Sequence, residues 1–142
     1  MKRTGSAVWQ GGIKDGQGTV STESGVLDGA QYSFATRFED GKGTNPEELL
    51  AAAHAGCFSM ALSKQLGDAG FTAASINTTA SVRLEKTDAG FSITKVHLDV
   101  TARVPGAGAA AFETAANNAK AGCPVSRLFN AEITLDAKLE GE

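Results

Sequence analysis

The stretch NPEELLAAAHAGCFSMALSKQLGDAG, residues 45–70, decides the fold, because it reads as one long, almost wholly apolar helix. Asn45 offers a capping side chain, Pro46 suits the first helical position, and Glu47 and Glu48 face the positive end of the dipole. Gly67 and Gly70 are the predicted stop. Between Leu49 and Leu62 only His54, Cys57 and Ser59 are polar. On a helical wheel Leu49, Ala53, Cys57, Met60 and Ala61 form one stripe, and Leu50, His54, Phe58 and Leu62 form a second beside it. A helix with two such stripes is either central to a core or shared with a second chain. The small side chains of AAAHAG let another backbone come close, which favours a homodimer with this helix at or near the interface.

Before this helix the chain reads as short strands and turns. TGSAVWQGG and GTVSTES are two predicted strands, and QYSFATRF a third, with Tyr32, Phe34 and Phe38 on one side and Arg37 on the other. Asp28-Gly29 is the turn expected to join the second and third into a hairpin. After the helix, INTTASVRLEK and FSITKVHLDVTARV form a long predicted hairpin through Asp88-Ala89-Gly90. In its second strand Phe91 and Ile93 fall at odd positions but Val96, Leu98, Val100 and Val104 at even ones. Either a bulge near Lys95 or a change of buried face is expected. AAFETAANNAK is a second helix ended by Gly122, CPVSRLF a short third begun by Pro124, and AEITLDAKLE a last strand. The fold class is α+β, a single domain over 1–142, with antiparallel sheets packed on two principal helices.

Charged residues make up 20% of the chain, apolar ones 42%, and the net charge is −3, the balance of a globular protein. No run of lysines or arginines points to nucleic acid or an anionic membrane surface. The N-terminal MKRTGSAVWQGG lacks an apolar signal core, and His54, Ser59, Ser63 and Lys64 make the long helix too polar to span a bilayer. A cytoplasmic protein is expected. The two cysteines, Cys57 and Cys123, are then not expected to form a permanent disulfide and read first as small buried hydrophobes.

A functional Cys57 needs more. Burial raises a thiol's pKa and makes it a poor nucleophile, so a reactive Cys57 requires a nearby cation. His54, one turn earlier, suggests a hydrolase or metal pair. One helical turn supplies only two ligands, however, and the other histidine, His97, lies on the polar side of a strand. No CxxC, HExxH or GxSxG pattern occurs. No metal is expected, and His54 reads as a packed helix residue. Arg37 is chemically the better candidate, since a guanidinium stays charged at any working pH, but a lone arginine is usually a surface residue and its spacing alone does not single it out.

GTVSTESGVL, TRFE, KGTNPEELLAAAHAGCFSMALS, DAGFSITKV and AKAGCPVS together resemble the OsmC/Ohr family of thiol-dependent hydroperoxidases, most of all its OsmC branch, from about Trp9 to Leu139. The resemblance implies an OsmC-like fold in an intertwined homodimer. It implies Cys57 as peroxidatic nucleophile, Cys123 as the cysteine that resolves it, and Arg37 and Glu47 as the residues completing the site. Organic hydroperoxides are the implied substrates and a dihydrolipoyl group, as on a lipoylated protein, the implied reductant, with no metal, haem or flavin cofactor. Leu50, Phe58 and Met60 are the expected apolar neighbours of the substrate.

One point of geometry bears on this set. About ten residues of straight helix separate Glu47 from Cys57, about 15 Å of rise and about 80° of rotation. Either the helix breaks near Ala53–Gly56, or Arg37 and Glu47 act on a partner chain's cysteines. The competing reading is a redox sensor or stress-response binding protein, in which the same cysteine pair switches conformation without turnover.

Overall fold

The computed structural model describes residues 1–141, so the last residue of the expected 1–142 domain, Glu142, lies outside the described residues. The chain falls into two compact units, Met1–Leu49 and Leu50–Glu142.

The first unit is an antiparallel meander of β1 (Gly5–Gln10), β2 (Gln17–Thr22) and β3 (Ala30–Tyr32), followed by α1 (Phe34–Phe38). The Asp28-Gly29 turn links β2 to β3 as expected, with Gly29 at φ +66. Gly18 sits where Trp9 and Tyr32 stack at 5.5 Å; a Cβ there would lie 2.6 Å from the Tyr32 ring. The third predicted strand is mostly a helix. Ser33 caps it through a reciprocal box in which its hydroxyl accepts from the Thr36 N–H and Thr36 Oγ1 accepts from the Ser33 N–H. Phe34 and Phe38, read as alternate strand positions, are also four apart. On the helix that spacing stacks their rings 4.8 Å apart.

The long helix, α2, runs unbroken from Pro46 to Asp68. Asn45 Oδ1 accepts from the Glu48 N–H at 2.7 Å, the cap read from the sequence. The helix passes through Gly67 and ends one residue later, at Asp68. Gly70 takes φ +92, its N–H bonds to the Gly67 carbonyl and the Phe71 N–H to the Leu66 carbonyl. Those two bonds are a Schellman ending, which needs its glycine only at the left-handed position.

The second unit carries β4 (Ser75–Thr87), β5 (Gly90–Arg103), α3 (Ala109–Gly122), α4 (Pro124–Leu128) and β6 (Glu132–Leu139) with the rest of α2. β4 and β5 form the long antiparallel hairpin. Its register jumps between Arg83 and Leu84, leaving Thr94 as the extra residue on β5, so of the two alternatives expected the strand takes the bulge beside Lys95. β6 pairs parallel to β5, because α3 and α4 carry the chain back to the starting end of the sheet. The sheets are therefore not all antiparallel, although the α+β class holds. The inner face of β5 presents Val96, Leu98, Val100 and Ala102. Against it pack Phe58, Leu62 and Leu66 of α2 and Phe112, Ala115, Ala116 and Ala119 of α3. Each fully buried large side chain stabilises the fold by about 1.5–3 kcal/mol. Ser59, a polar exception on α2, bonds to Thr78 Oγ1 at 2.7 Å and ties the helix to β4.

Only one of the two expected stripes of α2 is covered within the chain: His54, Phe58, Leu62 and Leu66 are buried, whereas Met60 is 77% exposed. Among the described residues no helix is long and apolar enough to cross a membrane.

Candidate active site

In the second unit the two cysteines meet. Cys57 projects from α2, and Cys123 stands at the junction where α3 ends and Pro124 opens α4. Their sulfurs lie 2.8 Å apart as free thiols, Cys123 fully buried and Cys57 half-buried. Burial pushes the Cys57 thiol above the ordinary cysteine range, and the adjoining Cys123 sulfur adds to the rise. The backbone N–H of Val125, at the start of α4, works in the opposite sense by donating to the sulfur.

Cys57 opens on a cavity of about 440 Å³ whose wall includes Met60, Ala61, Ala119, Gly122 and Pro124. Lys64 is also on the rim, but its ammonium pairs with Asp68 at 2.8 Å. Of the three residues expected near the substrate, Met60 lines this cavity. Phe58 does not: it is fully buried in the core, one residue on from Cys57 and about 100° around the helix. Leu50 is half-buried and not part of the wall.

In the first unit Arg37 and Glu47 form a two-bond fork, Nε to Oε1 at 3.0 Å and Nη2 to Oε2 at 3.1 Å. α1 supplies the arginine and the first turn of α2 the glutamate; Asn45 joins those segments by donating to the Thr36 carbonyl at 2.8 Å. The glutamate side chain is 12% exposed and the guanidinium 39%, so the carboxylate is fixed while the cation keeps an open side. Glu48, the neighbouring carboxylate, instead accepts from Thr44 Oγ1 at 2.7 Å and stays at the helix start. The thiol pair and the fork thus belong to different compact units.

Two groupings had no signal in the local sequence. His54 is fully buried and bonds through Nε2 to Ser126 Oγ at 2.7 Å, joining residues 72 positions apart. On the outer face of the second sheet, His97, Asp99 and Asp136 gather, with His97 Nε2 at 3.4 and 3.2 Å from the two carboxylates and Nδ1 on Thr134. The parallel register of β5 and β6 puts Thr134 opposite His97 and Asp136 opposite Asp99. Their exposed carboxylates make this a polar cluster on a solvated sheet face.

Two thiols in contact, one of them opening on an apolar cavity, are close enough to join as a disulfide and reopen without moving the backbone far. The chain belongs to the OsmC family, whose OsmC-like protein model matches residues 39–138. It is 61% identical over 140 residues to Peroxiredoxin OsmC of Escherichia coli (strain K12), covering 99% of this chain and 98% of that protein. It also resembles the solved organic hydroperoxide resistance protein OsmC of Legionella pneumophila, with 28% identity, TM-score 0.69, and 95% and 96% of the two chains covered. For the fold alone, the OsmC like protein from Mycoplasma pneumoniae superposes with a TM-score of 0.78 at 15% identity, over 99% of each chain.

Proposed function

We propose that this chain reduces organic hydroperoxides to alcohols, with Cys57 as the peroxidatic thiol and Cys123 as the resolving one. The observation that carries the reading is the 2.8 Å approach of the two sulfurs at an apolar cavity of about 440 Å³. Near-complete coverage at 61% identity by a protein named Peroxiredoxin OsmC supports the class, a cysteine-based peroxidase. The name of the Legionella relative supports organic hydroperoxides as substrates.

The chemistry is balanced by sulfur alone. The Cys57 thiolate attacks the terminal peroxide oxygen, the O–O bond breaks, and the alkoxide leaves with a proton as alcohol. Sulfur is oxidised by two electrons to a sulfenic acid. Cys123 attacks that sulfur, the S–S bond forms, and hydroxide leaves with a proton as water. An external dithiol, which we take to be a dihydrolipoyl group in the cytoplasm, then exchanges twice, restoring both thiols and leaving as its own disulfide.

The first step needs a cation, because Cys57 is disfavoured as a thiolate and Lys64, the one cation of the cavity wall, is engaged by Asp68. Arg37, aligned by Glu47, is our candidate to hold the thiolate and the charge developing on the peroxide oxygens. The helix between Glu47 and Cys57 does not break. We therefore assign the fork to the partner's thiol pair, giving two composite sites in a homodimer and one functional domain, 1–142. The uncovered stripe of α2, with Met60 outward, supports a second chain there.

Counting turnovers tests the reaction. With tert-butyl hydroperoxide and dihydrolipoamide, many peroxides consumed per chain are expected, whereas consumption that stops near one per chain identifies a sensor. Mixing Arg37→Ala and Cys57→Ser subunits tests the assembly. Each variant alone is expected to be inactive, while heterodimers regain one working site of two; mixtures without activity sink the composite site.

A further inference from the structure

His54 plays no part in that chemistry, yet its place in the core is unusual. Burial lowers its pKa below the ordinary histidine value, so the ring is neutral at neutral pH and carries a single N–H. With that proton on Nε2 it donates to Ser126 Oγ at 2.7 Å, and Nδ1 remains a buried acceptor without a partner. Leucine would fill the same position with no unmet acceptor. What histidine adds is a hold on α4. The ring bonds Ser126 and lies 5.3 Å from the ring of Phe129, the residue that closes α4.

The spacing gives that hold a purpose. His54 is three residues before Cys57 on α2, and Ser126 is three residues after Cys123, the residue that precedes α4. Val125, whose N–H donates to Cys57, stands immediately before Ser126. We propose that His54 and Ser126 form a clasp that sets the sulfur–sulfur register, a pair of positioning residues holding α4, and with it Cys123, against the turn of α2 that carries Cys57. The clasp makes no contact with substrate. It acts on how often the two sulfurs sit close enough to join, which is the effective concentration of one thiol at the other. In the peroxidase reading, on which this role rests, that quantity governs resolution of the sulfenic acid.

The test needs no peroxide, so its failure and that of the peroxidase reading are separate results. The full-length chain is equilibrated with reduced and oxidised glutathione, in which one glutathione disulfide oxidises the protein dithiol and leaves as two thiols. The disulfide-bonded fraction is read by mass spectrometry after alkylation. Relative to the native chain, His54→Leu and Ser126→Ala are each expected to shift the balance about tenfold toward the dithiol, the scale of one lost buried hydrogen bond. His54→Gln, which keeps a donor near the Nε2 position, is expected to recover most of the shift. A purely structural role would lower thermal stability and leave the redox balance alone. Balances within about twofold of native for both His54→Leu and Ser126→Ala overturn the clasp. So does a native chain that forms no Cys57–Cys123 disulfide. Ser126→Ala removes one hydroxyl only and keeps the test open if His54→Leu does not fold.

Discussion

Cys57→Ser is expected to abolish consumption of tert-butyl hydroperoxide, by at least about a thousandfold, because a hydroxyl neither ionises near neutral pH nor takes up oxygen as sulfur does. Cys123→Ser is expected to fail differently. Its Cys57 reacts once, and the sulfenic acid, with no thiol beside it, accumulates and passes to the sulfinic acid under excess peroxide. Mass spectrometry of the two variants after one equivalent of peroxide separates the roles: no added oxygen on Cys57→Ser, one on Cys123→Ser, and a disulfide in the native chain. Full activity in Cys57→Ser would place the nucleophile elsewhere. A Cys123→Ser variant that turns over like the native chain with a dithiol reductant would show that resolution comes from the reductant itself.

The second large effect is on stability and distinguishes two neighbours on α2. Phe58 is 0% exposed and sits among Leu62, Leu98 and Phe112 in the core. Phe58→Ala is expected to lower unfolding stability by about 3–5 kcal/mol, through lost burial and the void left behind. Met60 is 77% exposed at the cavity beside Cys57. Met60→Ala is expected to cost well under half of that, because Met60 fills no core of its own chain and any loss falls on the contact with the second chain. Its effect should instead be on KM, raising it more for a bulky aromatic hydroperoxide than for tert-butyl hydroperoxide. Urea unfolding at one fixed protein concentration, alongside kinetics on both substrates, reads both outcomes. A Phe58→Ala protein of native stability with altered substrate preference would return Phe58 to the cavity wall.

These two residues also show where sequence reasoning stops. The wheel placed an apolar stripe correctly along His54, Phe58 and Leu62, because helical periodicity depends only on nearest neighbours. It put Met60 on the other stripe but could not show which stripe meets the sheet and which a cavity, so Phe58 and Met60 both stand among the expected neighbours of the substrate. The same limit explains α1. Tyr32, Phe34 and Phe38 satisfy a period of two as readily as Phe34 and Phe38 satisfy a spacing of four, and the Ser33–Thr36 box that decides between them is a three-residue signal inside a five-residue helix. Gly67 looked like a stop because glycine is permissive, but the ending is written at Gly70, where φ is positive. Thr94 fared better: the change of parity along FSITKVHLDV is visible locally, and so was the bulge. In the candidate site, Cys57 and Cys123 read locally as small buried hydrophobes, their roles coming from family likeness, and their contact, like those of His54 with Ser126 and His97 with Asp136, joins distant segments that no local period encodes. Arg37 and Glu47 came from family likeness, since a lone arginine in a surface segment carries no signal of its own.

The thiol pair has a consequence for the durability of the molecule. Cys57 and Cys123 stand 66 residues apart in the chain, so their disulfide ties off nearly half of it. In the chain-entropy view a closed loop of that length restricts the unfolded ensemble enough to favour the folded state by about 4 kcal/mol. Each cycle would therefore alternate between a cross-linked form that resists unfolding and an open one that does not. On the proposed cycle the molecule would be hardened for as long as oxidant outruns reductant, and softened again when thiols return. Its lifetime against proteolysis would then track the redox balance of its surroundings, independently of how fast it works.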